Sequence, residues 1–119
     1  MNIELQEQNG SNVAEVKAEG IIINNAEDAL QLMVDLYYQN CDKIILSEEN
    51  ITPHFFDLKT GLAGEILQKF SNYRMRLVII GEFDKYPGQS IRDFIRESNK
   101  GKQVNFLSTL GEAKNSLLR

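Results

Sequence analysis

Apolar residues fall along this chain in short blocks, and their spacing switches between the two periods of regular structure. Two apolar runs, Lys43–Leu46 and Arg76–Ile80, bracket a polar loop and one stretch of helical period. β-Branched runs flanked by charge read as buried strands, so this region has the outline of a β-loop-α-β unit. Upstream, residues 2–8 alternate, with Ile3 and Leu5 on one side and Glu4 and Gln6 on the other. Asn9-Gly10 follows, then Val13, Ala14 and Val16. Asn and Gly accept the positive φ angles of a tight turn, so the pattern predicts a β-hairpin. Gly20 closes it, and Ile21-Ile22-Ile23 predicts a third short strand or an extended lead-in.

Helical spacing begins after Asn24-Asn25, which offers an N-cap ahead of Glu27 and Asp28, acids suited to a first turn. Ala29, Leu30, Met33, Val34 and Tyr37 predict a helix reaching Tyr38 or Gln39. Ser47–Gly61 has no clear period, although Pro53 after Thr52 predicts a short helical turn holding Phe55 and Phe56. Thr60 is placed to cap a helix whose buried face is Leu62, Ala63, Ile66, Leu67 and Phe70. Tyr86-Pro87-Gly88 reads as a turn, with Ser90 capping a helix that turns Ile91, Phe94 and Ile95 inward. Gly101 ends that helix. Val104–Leu107 is a last strand, and Thr109 caps a final helix bearing Leu110, Ala113, Leu117 and Leu118. Strands joined by helices pair in parallel through right-handed crossovers. The expectation is one α/β domain over residues 1–119: a mixed, mostly parallel sheet, an N-terminal β-hairpin and about four helices.

Composition narrows the function classes. The 119 residues, 42% hydrophobic and 25% charged, fit one soluble domain with a continuous core. Thirteen basic residues against seventeen acidic give a net charge of −4. That balance opposes nucleic-acid binding, which needs a basic surface to displace counterions from phosphates. The lone Cys41 rules out an internal disulfide or multi-cysteine metal site, and at a helix-to-strand junction it reads as a buried, inert thiol. No apolar run approaches the roughly 18 residues of a membrane span. Residues 1–20 carry Glu4, Glu7, Glu15 and Glu19 where a signal peptide would be basic and apolar, so the expected compartment is the cytoplasm.

Candidate chemistry gathers in Ser47–Thr60, the longest loop at the carboxyl end of a predicted strand, where α/β proteins meet their ligands. It carries Glu48, Glu49, His54, Asp57 and Thr60. Histidine is the side chain suited to proton transfer near neutral pH, and Asp57 three residues past His54 would orient it as a general base. The plainer reading is a histidine capping a turn beside Phe55 and Phe56. Ser47 follows a strand as a nucleophile does, but the Gly-x-Ser-x-Gly frame is absent. A single histidine makes no zinc site, and Gly61-x-x-Gly64 is too short for a phosphate-binding loop, so neither metal nor cofactor is expected. Thr60-Gly61 stands at a helix start, where free N–H groups favour an anion or a phosphoryl group, or where Thr60 serves as an ordinary cap. Lys69, Arg74 and Arg76 form a basic cluster that a solvated rim explains as well as an anion site does.

Two resemblances follow. Lys43-Ile44-Ile45-Leu46-Ser47, Phe55-Phe56-Asp57 and Thr60-Gly61-Leu62 with its amphipathic helix resemble the STAS domains of anti-sigma-factor antagonists. The chain is similar, over nearly all its length, to a bacterial family of unknown function, number 4180. That likeness runs through His54–Gly64, Gly64-Glu65-Ile66-Leu67-Gln68-Lys69-Phe70 and Arg96-Glu97-Ser98-Asn99. The family brings no established activity. The STAS resemblance implies a small switch that binds a protein partner or small ligand, with Thr60 matching the phosphorylated position. Asp57-Leu58-Lys59-Thr60-Gly61 departs from that motif, carrying Leu58-Lys59 where STAS domains have hydroxyl residues.

The leading expectation is therefore a non-enzymatic regulatory or binding module working through Ser47, His54, Asp57, Thr60 and Gly61. The alternative is a small hydrolase with His54 as base, Asp57 as its orienter, and Glu65 or Arg74 in support. Exposed hairpin edges invite pairing, which leaves a homodimer open as well.

Overall fold

Strand order in the sheet repeats strand order in the chain. The computed structural model describes residues 2–8 and 10–117. Its five strands are β1 (Asn2–Gln8), β2 (Ser11–Lys17), β3 (Cys41–Ser47), β4 (Arg76–Ile80) and β5 (Val104–Leu107). They lie side by side in the order β1-β2-β3-β4-β5. β1 and β2 pair antiparallel with Gln8 opposite Ser11, and Gly10 lies in the connection between them. Gly10 has a φ of 81°, the left-handed conformation that the turn requires; Asn9 lies outside the described residues. β2-β3, β3-β4 and β4-β5 are all parallel. The α/β class, the mixed sheet and the N-terminal hairpin are thus as the alternation and the helix-strand spacing predict.

The helices are α1 (Ala26–Tyr37), α2 (Leu62–Asn72), α3 (Gln89–Lys100) and α4 (Leu110–Leu117). Each of the first three is a crossover between parallel neighbours. Their buried residues join Ala14, Val16, Ile44, Leu46, Leu77, Ile79, Val104 and Phe106 in one large core on one sheet face. On the other face Val13, Ile45 and Val78 meet Ala113 and Leu117 of α4, with Ile80, Leu107 and Leu110 packed against them. Alternate residues of β3 and β4 therefore enter different cores, as the two-residue period of a strand demands. Among the described residues no helix is long and apolar enough to cross a membrane.

Local details refine the expected elements. Asn25 caps α1 by accepting the Asp28 N–H at 2.8 Å. The buried stripe of α1 is Ala29, Leu32, Met33 and Leu36; Leu30 and Val34 flank it, and Tyr37 points outward at 59% exposure. Helical period alone leaves the direction of the stripe free, and packing on β3 sets it. Ile21–Ile23 is a lead-in with a single bridge, Ile23 to Ile51, and not a ladder strand. Gly61, at φ 76°, holds the cap position of α2, while Thr60 ends the preceding 3-10 turn. Gly88 holds the cap position of α3, which puts Ser90 inside the helix. Thr109 does cap α4: its hydroxyl accepts the Glu112 N–H at 3.1 Å and donates to the Glu112 carboxylate at 3.2 Å. Leu118 lies outside the described residues.

Candidate functional site

The loops after β3 and β4 emerge together at the carboxyl edge of the sheet, because β3 and β4 pair from Lys43 with Arg76 to Ser47 with Ile80. Between them opens a cavity of about 410 Å³. Ser47, Glu48, Glu49, Ile51 and Pro53 line it from one loop, and Ile80 to Glu82, Lys85 and Tyr86 from the other. Ile21 of the lead-in adds a third wall.

Glu48 joins the two loops. Its side chain is 11% exposed, and Lys85 Nζ lies 2.8 Å from Oε2. The Tyr86 hydroxyl donates to the same oxygen. Oε1 accepts the Glu82 N–H at 3.3 Å. A carboxylate this covered needs charged or hydrogen-bonding partners, and here they all come from the facing loop. Gly81 makes the approach possible: a Cβ there would stand 2.5 Å from Glu48 Oε1 and 2.7 Å from Glu48 Cβ. Burial, then the hydrogen bond and charge of Glu48, push the Tyr86 phenol well above its ordinary range.

Aromatic rings fix the loops to the core. The Pro53–Phe56 turn starts at Thr52, whose hydroxyl accepts the His54 N–H, and carries Phe55 and Phe56 to 0% and 5% exposure. Phe56 stacks on Tyr86 with centroids 4.5 Å apart. Phe106 of β5 touches Phe55, Phe56, Phe83 and Phe94. Asn50, 1% exposed, ties in the lead-in: its amide donates to the Ala18 and Gly20 carbonyls at 2.8 and 3.0 Å. The Asn50 backbone carbonyl accepts the N–H groups of Ile22 and Ile23.

The residues expected from sequence are spread along this loop. Ser47 lines the cavity, and among the described residues its hydroxyl has no hydrogen-bond partner. Asp57 lines a second hollow of about 640 Å³, shared with Lys59 and the start of α3. Its carboxylate accepts the Lys59 N–H at 3.2 Å, and no hydrogen bond joins it to the exposed His54 imidazole. Thr60 is exposed; its hydroxyl reaches the His54 and Asp57 carbonyls at 2.8 and 2.9 Å and accepts the Leu62 N–H at 3.2 Å. Glu65 is an exposed residue of the first turn of α2. Arg74 is exposed in a left-handed turn, φ 55°, at the opposite end of the sheet from the cavity. Beyond it, Arg76 donates to the Lys102 and Ser116 carbonyls at 2.6 and 3.2 Å. Cys41 is 2% exposed, and burial raises its thiol pKa. Among the described residues no three His, Cys, Asp or Glu side chains gather where they could hold a metal ion.

Sequence reasoning missed the Glu48–Gly81–Tyr86 junction. Its one sequence signal is a glycine directly after a buried strand, opposite an acid directly after the neighbouring strand.

An α/β domain with helices mostly on one sheet face and a cavity at the carboxyl edge is the class that fold and site define. The chain belongs to the family described as Domain of unknown function (DUF4180), which matches residues 8–117. Comparison with curated proteins and with solved structures finds no match.

Proposed function

We propose that this protein is a non-enzymatic regulatory or binding module of STAS type, acting through residues 47–61 and the start of α2. The observation that carries the reading is the Glu48 carboxylate, which clamps two loops around a ready-formed cavity. A carboxylate that accepts from Lys85, Tyr86 and Glu82 is fully engaged in holding shape. That leaves Glu49, Glu82 and the Ser47 hydroxyl to meet a ligand, with Ile21, Ile51, Pro53 and Ile80 as apolar wall. Three carboxylates against one ammonium favour a cationic group on an apolar stem, either a Lys or Arg side chain of a partner protein or a small amine.

Thr60 is the switch in this reading. A phosphoryl group on its hydroxyl removes the donor that holds the His54 and Asp57 carbonyls and adds charge beside the start of α2. Native mass spectrometry of the protein purified from its own host, alongside Ser47→Trp, tests the proposal. The expected result is a bound molecule or partner that Ser47→Trp expels, because the indole fills the cavity from the strand end. A bound species that survives Ser47→Trp overturns the reading.

A further inference from the structure

The two edges of the sheet are finished differently. At the β5 edge the Asn99 side chain acts as a short substitute strand: its amide donates to the Phe106 carbonyl at 3.1 Å, and its carbonyl accepts the Phe106 N–H at 2.7 Å. An amide that fills both backbone groups of an edge residue removes the template on which another strand would pair. Among the described residues no side chain does this along β1. With Gln8 and Ser11 closing the two-residue turn as a hydrogen-bonded pair, the antiparallel alternation turns the N–H and C=O of Ile3, Leu5 and Glu7 outward. Leu5, the middle residue of β1, is 46% exposed.

We propose that β1 pairs antiparallel with β1 of a second copy of this chain, across a two-fold axis at Leu5, joining the two sheets into one. The register follows from the charges and the length of the strand. Centred on Leu5, the pairing sets Leu5 against Leu5 of the copy, Ile3 against Glu7, and Glu4 against Gln6. Every outward backbone group is used and no glutamate faces a glutamate. Centring on Glu4 sets two carboxylates face to face, and a parallel in-register pairing does so at both Glu4 and Glu7. Centring on Gln6 sets Glu7 against Leu5 and sends Ile3 past the end of the strand. The glutamates exclude the Glu4-centred and parallel pairings, the strand length disfavours off-centre ones, and the Leu5-centred register is self-complementary, as a two-fold interface requires. A contact of one strand edge is small, so the dimer is weak and reversible.

Sedimentation of the full chain up to about 500 μM tests this, a range that reaches weak, reversible contacts. The expected result is a monomer-dimer equilibrium that Leu5→Lys weakens at least roughly tenfold by setting like charges opposite each other. Leu5→Pro gives the same loss by deleting an N–H that the hairpin itself does not use. Circular dichroism separates either effect from unfolding. Oxidation of Leu5→Cys then reads the register, since paired Cα atoms about 5.5 Å apart fall within the roughly 4.4–6.8 Å that a disulfide spans. The buried Cys41 does not compete. A monomer throughout, a dimer indifferent to folded Leu5→Lys and Leu5→Pro, or faster cross-linking by Glu4→Cys or Gln6→Cys overturns the proposal.

Discussion

The smallest scale with a consequence of its own is the contact between Glu48 and Tyr86. Burial is the first cause of the raised Tyr86 pKa, with the Glu48 hydrogen bond and charge next. The fold thus favours the neutral phenol. A group whose folded pKa exceeds its unfolded value contributes stability below the unfolded value, about 10 for tyrosine, and loses it as pH climbs towards the folded one. Tyr86 is accordingly expected to ionise above the ordinary phenol range, read as the difference in phenolate absorbance between wild type and Tyr86→Phe. Glu48→Gln removes the charge but leaves the burial, so the transition moves down and stays above the ordinary value. Stability measured by denaturant should fall as pH rises above about 10, less steeply in Tyr86→Phe. Equal slopes in the two proteins would remove Tyr86 from the account.

At the scale of elements, loops and strand ends are held by side chains that stand in for backbone. Asn99 is the clearest case. Asn99→Ala leaves the Phe106 N–H and C=O without partners at a ring-covered edge, a loss of about 1–3 kcal/mol for a covered pair. Hydrogen exchange should show the Phe106 amide opening faster while β3 and β4 keep their protection. This scale also divides what the sequence reveals from what it hides. Arg76–Ile80 and Val104–Leu107 were legible to the residue, because a buried parallel strand is a short, mostly apolar run. The Thr109 cap was legible because its partner Glu112 stands three residues on. Asn99, Asn50 and Gly81 were not. Their partners lie 7 to 34 residues away, across turns whose direction no local period encodes. The direction of the α1 stripe was hidden for a similar reason, since neighbouring elements and not spacing decide whether Leu36 or Tyr37 points inward.

The whole molecule is lopsided. Among the described residues three helices cover one face of the sheet, while α4, through Leu110, Ala113 and Leu117, covers the other. Leu117 is 1% exposed, so Leu117→Ala should cost about 2–5 kcal/mol by equilibrium unfolding, with Val13, Ile45 and Val78 losing cover together. A cost under about 1 kcal/mol would mean that α4 contributes little to the fold. The monotonic strand order has a consequence for how the chain is made. Each strand is laid against the one synthesised just before it, and every strand pairing joins neighbours in sequence. No early segment has to wait for a distant one, which is the arrangement that shortens loop closure and speeds folding. As the chain leaves the ribosome, the sheet can grow by one strand at a time from the hairpin outward. The carboxyl-edge cavity is complete once β4 and Tyr86 have emerged, while the Asn99 closure of the far edge waits for the last strand.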